Sequence, residues 1–127
     1  MKEVVRTEAA PAPFQGAPYS QAIRAGALVF VAGQVGIEPG ASELAGDTIQ
    51  AQAEQALRNV GAILEAAGSG LDRLVKTTVF LQSLDDFQGM NEVYARHVGD
   101  RPPARSTVEV ARLPSGALIE IEAVALL

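Results

Sequence analysis

Arg105, Thr107, Glu109, Glu120 and Glu122 are the residues of this chain best suited to chemistry. They fall in two alternating runs on either side of Leu113-Pro114-Ser115-Gly116, a spacing that reads as a β-hairpin. In that register Val108 lies opposite Ile121, Val110 opposite Ile119, and Glu109 opposite Glu120. One guanidinium and three carboxylates then share a strand face. Like charges directly opposite each other destabilise a strand pair, so the face makes sense as a site where something pairs with them. A guanidinium fork grips a carboxylate through two parallel hydrogen bonds, which an ammonium cannot imitate. The competing reading for Arg105 is an ion pair with Glu120 or Glu122. Glu120 is flanked by Ile119 and Ile121 and lies near other acids. Desolvation and like charge both raise a carboxylate pKa toward the range useful in general acid–base catalysis. Its alternative is a structural salt bridge, and Glu109 and Glu122 read as members of the charge network.

Other candidates lie upstream. Tyr19, in a Pro-Tyr-Ser loop, can close a pocket with its ring and donate through its hydroxyl, or simply pack half-buried. Gly33 ends an apolar run and permits close approach to the backbone. His97 sits near a helix C-terminus, where a favourable dipole contact outweighs catalysis as a reading.

Composition narrows the chemistry. The 127 residues include no cysteine and one histidine, which removes disulfides, thiolate nucleophiles and any His/Cys metal site. The formal net charge is −5 with scattered basic residues, so the basic footprint of a nucleic-acid binder is missing. No apolar run approaches membrane-spanning length, and the Met1-Lys2-Glu3-Val4-Val5-Arg6 start has no apolar core of a leader. The expectation is a single domain over residues 1–127, cytoplasmic, with no metal or cofactor and neither nucleic acid nor membrane as partner.

The elements that must position these residues follow from periodicity. Residues 2–6 and 20–25 read as short strands around a Pro/Ala/Gly-rich loop, and Ala27 to Ala32 as a third. Asp47 with Gln50 has the spacing of a capping box. Behind it Ile49, Ala53, Ala56, Leu57, Val60, Ile63, Leu64 and Ala67 recur at helical spacing up to Gly68. Leu74 to Leu81 is β-rich. Ser83 can cap a second helix with the stripe Phe87, Met90, Tyr94 and Val98, closed by Gly99. The order β-β-β-α-β-α-β-β gives an α+β fold, a mixed sheet of about six strands with two helices on one face. Nothing else in the chain can cover the other face, so identical subunits are the simplest cover.

The run PPARSTVEVARLP with IEIEA resembles the reactive intermediate deaminase family (RidA, formerly YjgF). The resemblance continues through Gly16-Ala17-Pro18-Tyr19-Ser20-Gln21-Ala22, Ala32-Gly33-Gln34 and Val75 to Phe80, in matching order across nearly the whole chain. It implies a chorismate-mutase-like fold packed as a homotrimer with sites between subunits; the number three comes from the resemblance alone. It also implies that Arg105 grips a substrate carboxylate, that Glu120 orients water, and that Tyr19, Gly33, Thr107 and Asn91 contact the ligand. The implied reaction is hydrolysis of small enamine or imine acids, as by a 2-iminobutanoate/2-iminopropanoate deaminase, to 2-keto acids and ammonia. Two departures bear on substrate range: Thr107 stands where many members have cysteine, and Ala32 where many have serine. Alternatives from other classes are a non-catalytic trimer that binds small carboxylates or a protein and, further off, an endoribonuclease or translation inhibitor.

Overall fold

The computed structural model describes all 127 residues. Six strands and two helices follow one another as β1 (Lys2–Val5), β2 (Ala22–Ala25), β3 (Leu28–Val35), α1 (Ile49–Ala66), β4 (Leu74–Leu81), α2 (Phe87–Val98), β5 (Ala104–Glu109) and β6 (Ile119–Leu126). One sheet holds all six in the order β1-β2-β3-β6-β4-β5. Only β4 and β5 are parallel neighbours. Parallel pairing needs a crossover, and α2 supplies it, while α1 links β3 to β4 across the interposed β6. No helix is long and apolar enough to cross a membrane.

The element order agrees with the sequence reading, but the terminal hairpin does not form. β5 and β6 lie on opposite edges of β4, with Arg105 opposite Thr77 and Glu120 opposite Phe80. Composition explains the choice. The inward residues of β6, Ile119, Ile121 and Ala125, are fully buried and fit a central strand. Ala104–Glu109 carries Arg, Ser and Glu and suits an edge, where charge blunts further pairing.

Strand alternation then divides the residues expected to share a face. The row Val5, Ala22, Val31, Ala123, Thr77 runs in register beneath the helices and ends at Arg105. Thr107 and Glu109 follow Arg105 on that side, and the Glu109 carboxylate accepts from the Leu84 N–H at 3.0 Å. Glu120 and Glu122 point to the other face. There the adjoining row is Val4, Ile23, Phe30 and Val124, with Val4 49% and Phe30 45% exposed. One end of that face is covered from within: Leu113, Ala117 and Ile37 pack with Val35, and Phe80 leans on them.

The helical stripe of α1 is buried as expected, under a core of Val29, Val79, Ile119 and Ile121. Its cap is Thr48, not Asp47; the Thr48 hydroxyl accepts from the Ala51 N–H at 3.1 Å. At the other end Ser69 N–H bonds Leu64 and Gly68 N–H bonds Glu65, a turn that Gly68 at φ +88° permits. Ser83 caps the short 3-10 turn Leu84–Asp86 that leads into α2, donating no cap to α2 itself.

α1 also buries three amides that periodicity alone would leave in solvent. Asn59, 1% exposed, donates to the carbonyls of Val35 (3.1 Å) and Ile37 (2.8 Å), and accepts from Gln55 (2.9 Å). Gln52 donates to the Gly46 carbonyl and accepts from the Leu118 N–H, each at 2.8 Å. These bonds pin the chain on both sides of Glu120. Replacing Asn59 by leucine keeps the branched shape but strands two carbonyls and an amide. Asn59→Leu is expected to lose about 3 kcal/mol or more of stability in chemical denaturation, with three buried groups unsatisfied at roughly 1–3 kcal/mol each; an unchanged midpoint would contradict this.

Candidate functional site

Arg105 comes from the edge strand and lies against α2. Its Cζ is 4.7 Å from the centroid of the Tyr94 ring and 5.5 Å from that of Phe87, and Nη1 is 3.9 Å from the Met90 sulfur. Neither Glu120 nor Glu122 pairs with it; the ion pairs of the chain involve Arg24, Arg58, Arg96 and His97. Its guanidinium therefore keeps its capacity for a carboxylate. A cavity of about 510 Å³ opens beside it, lined by Asn91, Tyr94, Val98, Pro102 and Pro103 among others. Asn91 thus joins Arg105, and Thr107 lies two residues along on the same face.

Glu120 belongs to a second cluster. In register it lies between Val35 and Phe80. A Cβ on Gly33 would sit 2.7 Å from the Glu120 Cδ and 2.8 Å from Oε2, so the missing side chain is what lets this carboxylate lie against the backbone. Burial, and then the nearby Glu122 charge, push the Glu120 carboxyl above its usual range. Gly33 also lines a small cleft with Tyr19, Phe14 and Ile37. The Tyr19 hydroxyl accepts from the Phe14 N–H at 2.9 Å. The loop carrying Tyr19 hangs on Gln21, 4% exposed, whose amide donates to the carbonyls of Thr7, Ala10 and Pro11 and accepts from the Thr7 N–H.

The six candidate residues thus form two groups: Arg105, Asn91 and Thr107 on one side, and Glu120, Gly33 and Tyr19 on the other. Their anchor points on β4, Thr77 and Phe80, are three residues apart, about 10 Å along a strand. The side chains also leave opposite faces of the sheet. The two groups cannot meet on one ligand within a single chain.

Sequence reasoning missed the aromatic and thioether contacts of Arg105, because Phe87, Met90 and Tyr94 fit a core stripe equally well. It also missed the Gln21 and Asn59 tethers; a polar residue inside an apolar pattern was the available signal. His97 serves neither group: its Nε2 lies 3.0 Å from Glu54 of α1, which also pairs with Arg58 at 3.0 Å. The His97 hydrogen bond is the main reason that the Glu54 carboxyl sits below its usual range. No cluster of three His, Cys, Asp or Glu could hold a metal.

The raised Glu120 pKa has a thermodynamic sign. The folded chain holds this proton more tightly than the unfolded chain does. The cost of the buried charge is absent below the unfolded pKa and grows as pH rises from the ordinary carboxylate range to the raised value. Glu120→Gln, which removes the charge, is expected to raise the melting temperature at pH 7, with a gain that shrinks toward pH 4. A lower melting temperature at pH 7 would show that the carboxylate is stabilising.

The family model described as Endoribonuclease L-PSP matches residues 7–127. A RutC family protein of Pyrococcus horikoshii is 53% identical over 125 residues, covering 98% of each chain. The human 2-iminobutanoate/2-iminopropanoate deaminase is 40% identical over 126 residues, covering 99% of this chain and 90% of its own. Among solved structures, RidA from the Antarctic bacterium Psychrobacter sp. PAMC 21119 superposes with a TM-score of 0.93 at 41% identity, covering 98% of this chain and 99% of that one. Escherichia coli TdcF with bound serine gives a TM-score of 0.90 at 40% identity, covering 98% of each. A match that spans nearly the whole chain in both sequence and fold, and that includes the Arg105 and Glu120 segments, places this chain in the reactive intermediate deaminase (Rid/YjgF) family.

Proposed function

We propose that this chain hydrolyses small 2-imino and enamino acids, of the 2-iminobutanoate and 2-iminopropanoate kind, to 2-keto acids and ammonia. The observation that carries this reading is the pairing of an Arg105 that has no carboxylate of its own with a Glu120 whose carboxyl is raised in pKa. Arg105 holds the substrate carboxylate through its fork. Water positioned by Glu120 adds to the C=N carbon, and Glu120 takes its proton. The same carboxyl returns that proton to the nitrogen, giving a carbinolamine; it then carries the hydroxyl proton to the nitrogen as the C–N bond breaks, so that the C=O forms and ammonia leaves. An imine carbon is already electrophilic, so general acid–base help suffices. The serine bound to TdcF and the name of the human relative support a small amino-acid-like ligand. Charge counts against the ribonuclease description: the chain is acidic, and its one histidine is engaged by Glu54.

The two groups lie on opposite faces, so the site we propose forms between copies. Arg105, Asn91 and Thr107 of one copy meet Glu120, Gly33 and Tyr19 of the next. The apolar row Val4, Ile23, Phe30 and Val124, exposed at Val4 and Phe30 and half-buried at Ile23 and Val124, gives that assembly a face to bury. Following the family resemblance, three copies close the ring.

Three experiments test this reading. Arg105→Lys should retain its fold and lose most turnover, because a point charge does not reproduce the fork; near-normal activity would overturn the carboxylate assignment. Arg105→Ala and Glu120→Gln should each be inactive alone. Co-refolded in equal amounts they should recover about a quarter of parent activity, the share of random interfaces that join two intact halves. No recovery would overturn the shared site, and carboxylate binding without turnover in the parent would leave a binding module. Phe30→Arg should shift the sedimentation coefficient from trimer to monomer, with activity lost in parallel.

A further inference from the structure

We infer that Tyr94 is a positioning residue that holds the Arg105 guanidinium ready for a carboxylate. This rests on the assignment of Arg105 to the substrate carboxylate proposed above.

A long cationic side chain on an edge strand, with no anionic partner in its own chain, has every reason to be mobile. Arg105 instead has its Cζ over the Tyr94 ring at 4.7 Å. The face of an aromatic ring attracts a cation through its quadrupole. That attraction does not engage the N–H groups with an acceptor oxygen, so the hydrogen-bonding edge of the guanidinium stays available for a carboxylate. A carboxylate partner within the chain would fix Arg105 equally well but would occupy the donors that the substrate needs.

Tyr94 is better built for this task than the other ring. Phe87 is farther, at 5.5 Å, and 39% exposed. Tyr94 is 5% exposed, and its hydroxyl lies 2.6 Å from the Thr77 Oγ1 in a buried hydrogen bond. Thr77 is the register partner of Arg105 on β4. The ring is therefore tied to the strand position that carries the cation, and sheet, helix and guanidinium are held as one unit. Met90, one helical turn earlier on α2 and fully buried, fills the remaining side with its sulfur.

Plain core packing is the competing explanation, and it predicts changes in melting temperature alone. Tyr94→Leu is to be compared with the parent in imine hydrolysis and in calorimetric binding of 2-oxobutanoate, the product of the proposed reaction. We expect KM to rise and 2-oxobutanoate affinity to fall by roughly five- to thirtyfold, with kcat within about twofold, the scale of a partly desolvated cation–π contact. Tyr94→Phe, which keeps the ring, should bring both back to within about threefold of the parent. In an Arg105→Gln background, which leaves no cation over the ring, Tyr94→Leu should add no further loss, as expected for residues acting through one another. Unchanged affinity in Tyr94→Leu, or the same loss with and without Arg105, would overturn the inference. Tyr94→Met is a second ring-free variant should the leucine protein not fold. The ligand-free parent supplies a further reading, because its Arg105 Nε–H order parameter should be that of a rigid group and a freely mobile one would overturn the inference. Arg105→Ala separates the two levels. If it still binds 2-oxobutanoate and still turns over imine, the carboxylate assignment fails and this inference with it. If it loses both while Tyr94→Leu keeps both, only the role of Tyr94 falls.

Discussion

β4 is hydrogen-bonded along both edges, to β5 in parallel and to β6 in antiparallel fashion. The period-two alternation of a strand leaves no freedom once those registers are set. Arg105 shares a face with Thr77 and the helices; Glu120 shares one with Phe80 and the open side. A slip of β6 by one residue would turn Ile119 and Ile121, both fully buried, out of the core. The packing of the core therefore dictates where the charged groups go, and the division of the site into two halves is a consequence of that packing.

The separation has an electrostatic result. Opposite charges that meet neutralise each other and shift each other's pKa toward the charged form. Glu54 shows this outcome, with His97, Arg58 and Arg96 around it and its carboxyl held low. Glu120 has no cation near it, only a second carboxylate and an apolar setting, and its carboxyl moves the other way. Two acids in one chain are thus shifted in opposite directions by their neighbours. Within one chain, the acid whose carboxyl is raised is the one that the sheet places on the face opposite Arg105.

Much of the architecture was legible because it rests on periodicity. The α1 stripe from Ile49 to Ala67 and the β-rich Leu74–Leu81 run each signal an element without help from the rest of the chain. The terminal hairpin failed for a reason of the same kind. Alternation says which residues share a face of their own strand, but nothing about which strand lies alongside. Val108 and Ile121 are both apolar and could face each other; β4 takes both strands as partners instead, with Phe80 opposite Val108 and Val79 opposite Ile121. Arg105, Glu120, Gly33, Asn91, Tyr19 and Thr107 could be picked out individually, whereas their division into two groups depends on strand order. The tethers were only half legible: a polar residue inside an apolar pattern marks Asn59 and Gln21, but their partners are carbonyls 22 to 24 and 10 to 14 residues away, which no local pattern identifies.

Those tethers give the two halves different mechanical characters. The Glu120 half is built against irregular chain, the loops on either side of Ile37 and Leu113 and the segment that carries Tyr19. Buried amides compensate by bonding the backbone directly: Asn59 holds the Val35 and Ile37 carbonyls, Gln52 the Leu118 N–H, and Gln21 the loop before Tyr19. The Arg105 half is built on a strand and a helix, which need no such help, and its uncertainty lies in one long side chain. An aromatic ring anchored to the neighbouring strand answers that uncertainty. The two departures from the family pattern divide along the same line, with Thr107 on the strand-and-helix half and Ala32, whose N–H bonds the Gln21 carbonyl at 2.9 Å, on the tethered half. Each changes a side chain without touching the bonds that hold its half in place, so the scaffold can vary these two positions while keeping Arg105 and Glu120 where the sheet has put them.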